Sequence, residues 1–198
     1  PTREEDSAKR FKITSGKDVD GAVIGKICDF VNECAKSQGK LLTKRLYPII
    51  MELMTNTRQH AYRKESGQMN DNWYIYAENK SDSIEFVFLD TGLGIPSTIR
   101  KNFFEKIKVL SLANDASFIA SALKGAFRTE TEQSHRGKGL PEIYKDSKAG
   151  RISELTVVSG NGKCVVGDNG IIEETLLPVS FVGTLVCWKF LKQGAEQT

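Results

Sequence analysis

Helical and strand patterns occur in separate blocks along this chain, and their order restricts the folds it can adopt. Apolar residues recur at three- and four-residue steps in two early stretches, which predicts two amphipathic helices. Aromatic and β-branched runs joined by a short polar connection then predict a pair of strands. The predicted helices cover about 20–35 and 42–64, and the predicted strands cover 73–77 and 84–89.

The second half returns to helices and then ends in strands. Helices are predicted over 97–110, 116–123 and 140–148, and strands over 154–158, 163–166 and 181–191, with a weaker strand signal at 172–177. Strict strand–helix–strand alternation is absent, which disfavours a Rossmann sheet. We therefore predict an α+β fold: a two-layer sandwich whose mostly antiparallel sheet is covered by helices on one face.

Composition fits one domain, and the small net charge neither requires nor excludes a polyanionic partner. The chain has 198 residues, 39% of them hydrophobic, and a formal net charge of +3. Its four cysteines have no C-x₂-C spacing and it lacks a run of 18 apolar residues, so we expect a reduced cytoplasmic protein without a membrane partner. Nucleic-acid binding is not indicated. The predicted divisions are a polar arm over 1–18, a domain over 19–192 and a tail over 193–198.

The first candidate motif lies on the second predicted helix. Glu52, Asn56 and His60 are four residues apart, so their side chains share one face. An amide oxygen is a hard ligand suited to Mg²⁺, and a carboxylate one turn away can orient or deprotonate a water. Taken alone, this spacing is also typical of a solvent-exposed helix face.

The second motif is Asp90-Thr-Gly-Leu-Gly-Ile-Pro96, which directly follows a hydrophobic strand. Gly92 and Gly94 allow a sharp turn and close approach of the backbone to a ligand. Asp90 at the strand end can accept a hydrogen bond from an exocyclic amine such as that of adenine. The strand does not lead into a Walker-type phosphate loop, which excludes that class of NTPase.

The third and fourth motifs are also rich in glycine. The third motif, Ser134-His-Arg-Gly-Lys-Gly-Leu140, leads into a predicted helix, where free backbone N–H groups and the side chains of Arg136 and Lys138 suit a phosphate. Gly183-Thr184 lies within the last strand, where a glycine often marks a bulge or a close backbone approach.

Together and in this order, the four motifs resemble those of the GHKL superfamily, which contains the ATPases of gyrase, heat-shock chaperones, histidine kinases and MutL. The resemblance spans about residues 46–191 and implies a Bergerat-type fold that binds ATP and Mg²⁺. The implied roles are a general base at Glu52, an Mg²⁺ ligand at Asn56 and an adenine contact at Asp90 supported by Thr184. Residues implied to line the rest of the nucleotide site are Gly92, Gly94, Ile95, Arg136, Gly137, Lys138, Gly139 and Leu140.

Several activities are compatible with this resemblance. We favour an ATP-hydrolysing conformational switch that works within a larger protein or complex, with a lid over about 97–138 and a possible ATP-dependent dimer. A serine kinase of the anti-sigma-factor type and a nucleotide sensor without turnover are the alternatives. The two histidines, His60 and His135, both fall inside the nucleotide motifs, so autophosphorylation on histidine is not expected.

Overall fold

A computed structural model describes residues 9–60, 72–102, 114–126, 139–167 and 169–192. The helices within these residues are α1 (Gly21–Ala35), α2 (Gly39–His60), α3 (Ile95–Asn102), α4 (Asp115–Leu123) and α5 (Gly139–Lys148). The strands are β1 (Arg10–Gly16), β2 (Trp73–Asn79), β3 (Ser83–Asp90), β4 (Ser153–Val166) and β5 (Ile172–Leu191). A single 3₁₀ turn, Lys36–Gln38, separates α1 from α2.

The five strands form one sheet in the order β1-β2-β3-β5-β4, and every neighbouring pair is antiparallel. Alternate side chains along β2 and β3 are buried, as period-two geometry requires when one face of a sheet is covered. The predicted α+β class with an antiparallel sheet is thereby confirmed, and the arrangement is consistent with a two-layer sandwich. Within the described residues, no helix has both the length and the apolar character needed to cross a membrane.

The core lies between the helices and one face of the sheet. Phe86 and Trp188 stack at 5.1 Å on neighbouring strands, and both are almost fully buried. Ile27 on α1 and the α2 residues Ile50 and Met54 belong to the same buried cluster. The amphipathic period of the two long helices therefore indicated correctly which of their faces covers the sheet.

Two helices begin at side-chain caps. Asp20 precedes α1 and accepts hydrogen bonds from the backbone N–H groups of Ala22 and Val23. Asn114 precedes α4 and accepts one from the N–H of Ser117. Each cap satisfies donors that the first helical turn leaves without a partner inside the helix.

Part of the predicted polar arm is folded. Residues 10–16 form β1, which pairs with β2 at the edge of the sheet. Phe11 packs edge-to-face on Phe30 of α1, and the Trp73 indole N–H donates to the Asp18 carbonyl at 2.8 Å. The strand is mostly exposed, so its sequence lacks the apolar alternation by which a covered strand is recognised.

Two other predictions need correction. The four short strands predicted between 154 and 191 are merged in the structure into two long strands, β4 and β5, which pair along most of their length. Within the predicted lid, residues 115–123 form α4, which packs on β4 and buries Phe118 and Ile119. This part of the segment belongs to the folded body, while 103–113 and 127–138 lie outside the described residues.

Candidate functional site

A polar row crosses three neighbouring strands of the sheet. Asp90 at the end of β3 is in register with Thr184 of β5, and Thr184 is in register with Ser159 of β4. The row follows directly on the buried apolar row Phe88, Val186 and Val157, and it occupies the same helix-covered face. Polar groups placed at the margin of a core are well suited to contact a ligand that enters between sheet and helices.

The backbone after β3 turns tightly around Asp90. One Asp90 carboxylate oxygen accepts a hydrogen bond from the N–H of Gly92 at 2.9 Å. Thr91 is tied to Asn72 by two bonds of 3.0 Å, from the Thr91 N–H to the Asn72 carbonyl and from the Asn72 N–H to the Thr91 hydroxyl. The Gly92 bond thus orients the Asp90 carboxylate, and the bonds to Asn72 hold the backbone that follows it.

The second glycine of the loop has no room for a side chain. Gly94 has a φ of +79°, and a β-carbon there would lie 2.6 Å from the Ser159 hydroxyl oxygen and 2.9 Å from the Gly183 carbonyl oxygen. The next residue, Ile95, begins α3 and donates its backbone N–H to the Ser159 hydroxyl at 2.9 Å. The loop therefore lies directly against β4 and β5, and the absence of a side chain at Gly94 is what allows this contact.

Gly183 allows β5 to pass close to the end of β3. Its φ is +89°, and a β-carbon there would overlap the Asp90 carbonyl oxygen and lie 2.8 Å from the Asp90 carbonyl carbon. Of the two features that a glycine in a strand often marks, a bulge or a close backbone approach, Gly183 has the close approach, next to the register of Thr184 with Asp90.

A second cluster forms where α2 meets α5. Gly139, the first residue of α5, lies against Glu52, so that a β-carbon at Gly139 would overlap the Glu52 side chain. Seven residues further along α5, buried Asp146 pairs with Arg45 of α2 at 3.2 Å and with Arg151 at 2.7 Å. Arg45 lies seven residues before Glu52, so the two contacts show that α5 is antiparallel to α2. They hold the N-terminus of α5 beside the Glu52 carboxylate.

The remaining predicted site residues are placed as follows. Asn56 lies one helical turn beyond Glu52 on α2 and is half-buried, and Leu140 is a half-buried residue packed against the core. Arg136, Gly137 and Lys138 lie outside the described residues. The structure thus brings together Asp90, Gly94, Ile95 and Thr184 in one cluster and Glu52 with Gly139 in another, and both clusters border the same core. In the described part of the chain, no three His, Cys, Asp or Glu side chains form a metal-binding group.

Ser159 is central to the first cluster, and the sequence pattern did not identify it as a site residue. The sequence Ser159-Gly-Asn-Gly162 has the composition of a turn, whereas β4 continues through it with register shifts. The Asp115 carboxylate accepts a hydrogen bond from the Asn161 N–H at 2.8 Å and forms an ion pair with Arg100 of α3. A tertiary contact thus stabilises the irregular strand, and local composition gives no signal of it.

No protein-family model matches the chain, and no curated protein is significantly similar to it.

Proposed function

We propose that this chain is an Mg²⁺-dependent ATP-binding and ATP-hydrolysing module of the GHKL type, with a Bergerat-type arrangement of its sheet and helices. The observation that carries the proposal is the register of Asp90 with Thr184. It brings two motifs that are far apart in the sequence to one point at the margin of the core. Within the module, the polar row would contact the base and the junction of α2 with α5 would contact the phosphates.

The base end has the hydrogen-bonding character that adenine requires. When ionised, the Asp90 carboxylate can only accept hydrogen bonds, and Thr184 adds a hydroxyl beside it. Such a pair suits the exocyclic amine of adenine. Gly94 lets the loop backbone lie flat against β4 and β5, where a side chain would occupy the space beside the polar row.

The phosphate end has groups suited to an anion and to Mg²⁺. The first N–H groups of α5, at Gly139 and Leu140, have no partners within the helix and suit phosphate oxygens. The Asn56 side-chain oxygen would hold Mg²⁺, which usually takes one or two protein ligands and completes its shell with phosphates and water. When bound, Mg²⁺ offsets the negative charge of the phosphate oxygens. Glu52, beside Gly139, would hold and deprotonate the attacking water.

Binding is tested first, by thermal unfolding with ATP, ADP and Mg²⁺, alone and combined. A ligand bound only by the folded state raises the melting temperature, by an amount equivalent to about 2.7 kcal/mol at 100 times its Kd. We expect stabilisation by ATP that increases with Mg²⁺ in the unmodified chain and loses this Mg²⁺ dependence in Asn56→Ala. Unchanged melting at millimolar ATP and Mg²⁺ would remove the basis of the proposal.

Turnover is tested next, with labelled γ-phosphate. Glu52→Gln keeps the shape of the side chain and removes the base, so we expect ATP to bind and phosphate release to fall about 100-fold or more. Glu142→Gln on the exposed surface of α5 is the matched control and should retain full activity. Equal rates in Glu52→Gln and the unmodified chain would refute the base assignment. Transfer of the labelled phosphate to a partner protein instead of to water would indicate a kinase. ATP binding without turnover would indicate a nucleotide sensor.

A further inference from the structure

The Ser159 hydroxyl is a buried junction of three elements. Its side chain is fully buried and its oxygen lies 2.9 Å from the Ile95 backbone nitrogen, 2.6 Å from the Gly183 carbonyl oxygen and 3.4 Å from the Thr184 hydroxyl oxygen. It therefore connects the glycine loop after β3 with the part of β5 that faces Asp90.

The direction of each hydrogen bond at this junction is fixed by its partners. A backbone N–H can only donate and a carbonyl can only accept, while a hydroxyl has one hydrogen and two lone pairs. Ser159 must accept from Ile95, and its single hydrogen must go to Gly183. The two hydroxyl oxygens lie 3.4 Å apart, and any hydrogen bond between them must then be donated by Thr184.

This order leaves Thr184 with lone pairs, and no hydrogen, for any group on the ligand side. Next to it, Asp90 also offers only acceptors when ionised. Two acceptors side by side favour a ligand edge that donates and disfavour one that carries a carbonyl oxygen. The chemical class that fits is a purine with an amino group at its 6-position.

We infer that Ser159 is a positioning residue that determines base specificity, because it commits the Thr184 hydrogen and so makes the site select 6-aminopurine over 6-oxopurine nucleotides. The inference rests on the proposed nucleotide site and deepens it. Ser159 acts on the base preference through Thr184, without touching the base. A purely structural role would alter stability alone, whereas this role alters the ratio of two affinities.

The test measures Kd for ATP and for inosine triphosphate, which differ in the 6-amino or 6-oxo group and in the hydrogen that the 6-oxo base carries at N1. We expect the unmodified chain to prefer ATP, and Ser159→Ala to lower that preference about tenfold, because a released Thr184 hydroxyl can rotate and donate to the 6-oxo group. Both ligands are compared on the same variant, so a loss of folded protein cancels from the ratio. Ser83→Ala, which removes another buried hydroxyl at the far end of β3, is the matched control and should keep the ratio.

A double-mutant cycle adds a second readout. Thr184→Val should lower the preference on its own, and adding Ser159→Ala to it should lower it no further, because the serine acts through the threonine. If Ser159→Ala fails to fold, Ser159→Cys keeps nearly the same volume with a weak hydrogen-bonding group and should shift the ratio in the same direction.

The outcomes separate this inference from the proposed function. An unchanged ratio in Ser159→Ala or Ser159→Cys, or an equal change in Ser83→Ala, would overturn the role of Ser159 while ATP binding stands. A chain that binds both nucleotides equally well would do the same. A chain that binds neither nucleotide would overturn both proposals.

Discussion

Replacing Gly183 by alanine should disrupt the end of β3 as well as the local backbone of β5. The glycine has a φ of +89°, a conformation that costs an L-residue about 1–2 kcal/mol. The added β-carbon would also overlap the Asp90 carbonyl oxygen and approach the Thr91 α-carbon to 3.0 Å. Backbone atoms cannot rotate away, so the strands must separate where Asp90 pairs with Thr184. Losing one or two strand hydrogen bonds adds about 1–2 kcal/mol, for a total of about 3 kcal/mol.

Two glycines elsewhere supply matched controls. Gly150 has a φ of +65° but no atom within 4 Å of its β-carbon position, so Gly150→Ala should cost only the conformational term, about 1 kcal/mol. Gly25 lies within α1 with the same open surroundings and no positive φ. Gly25→Ala should therefore stabilise the chain, by about 0.5–1 kcal/mol.

Urea or thermal unfolding of the three variants measures these differences. At about 2–4 °C per kcal/mol for a domain of this size, Gly183→Ala should lower the melting temperature by about 10 °C and Gly150→Ala by about 3 °C. Gly183→Ala should also weaken ATP binding, because Asp90 moves with its carbonyl. A cost for Gly183→Ala equal to that of Gly150→Ala would refute the close contact between β5 and the end of β3.

Three further outcomes are expected. Gly139→Ala should lower ATP turnover about tenfold in a phosphate-release assay, because its β-carbon would displace the Glu52 side chain; an unchanged rate would contradict their contact. Asp146→Asn should cost about 2 kcal/mol in urea unfolding, because the buried Asp146 carboxylate pairs with both Arg45 and Arg151. A loss below about 0.5 kcal/mol, which is the range of ordinary surface substitutions, would count against that role. Burial raises the pKa of Cys164 from 9.0 to about 12, so alkylation at pH 8 should require unfolding. Since the folded state retains this proton longer, stability should fall as pH rises from about 9 to 12, and Cys164→Ala should reduce that fall.

Helices and strands with one buried face could be predicted from the sequence, whereas the mostly exposed strand β1 could not. β2, β3 and the amphipathic faces of α1 and α2 carry clear periods because one side of each is buried. β1 was missed because most of its residues are exposed, including Ile13 at 71%. As an edge strand it depends on pairing with β2 and on the contact of Phe11 with α1, and both are distant in sequence.

The residues of the candidate site also fall into those that the sequence indicates and those that it does not. Gly94 and Gly183 could be singled out because positive φ selects for glycine, and Asp90 because it stands at the end of a hydrophobic strand before a glycine-rich turn. The register that pairs Asp90 with Thr184 is set by the β3–β5 ladder and cannot be read from either strand alone. Ser159 was missed because its neighbours resemble a turn and are kept in the strand by Asp115 of a different element.

The two ends of the proposed site are held in place by separate sets of contacts, so substitutions at the two ends should affect stability independently. The base end depends on strand register and on the Ser159 junction, whereas the phosphate end depends on the antiparallel contact of α5 with α2 through Gly139 and Asp146. Variants with no shared partners generally have additive free energies, while variants within one network do not. Changes at Ser159 and Asp146 should therefore add in stability, and changes at Ser159 and Thr184 should not. If the proposed function is correct, nucleotide affinity is where the two ends should become coupled, because a single nucleotide would contact both.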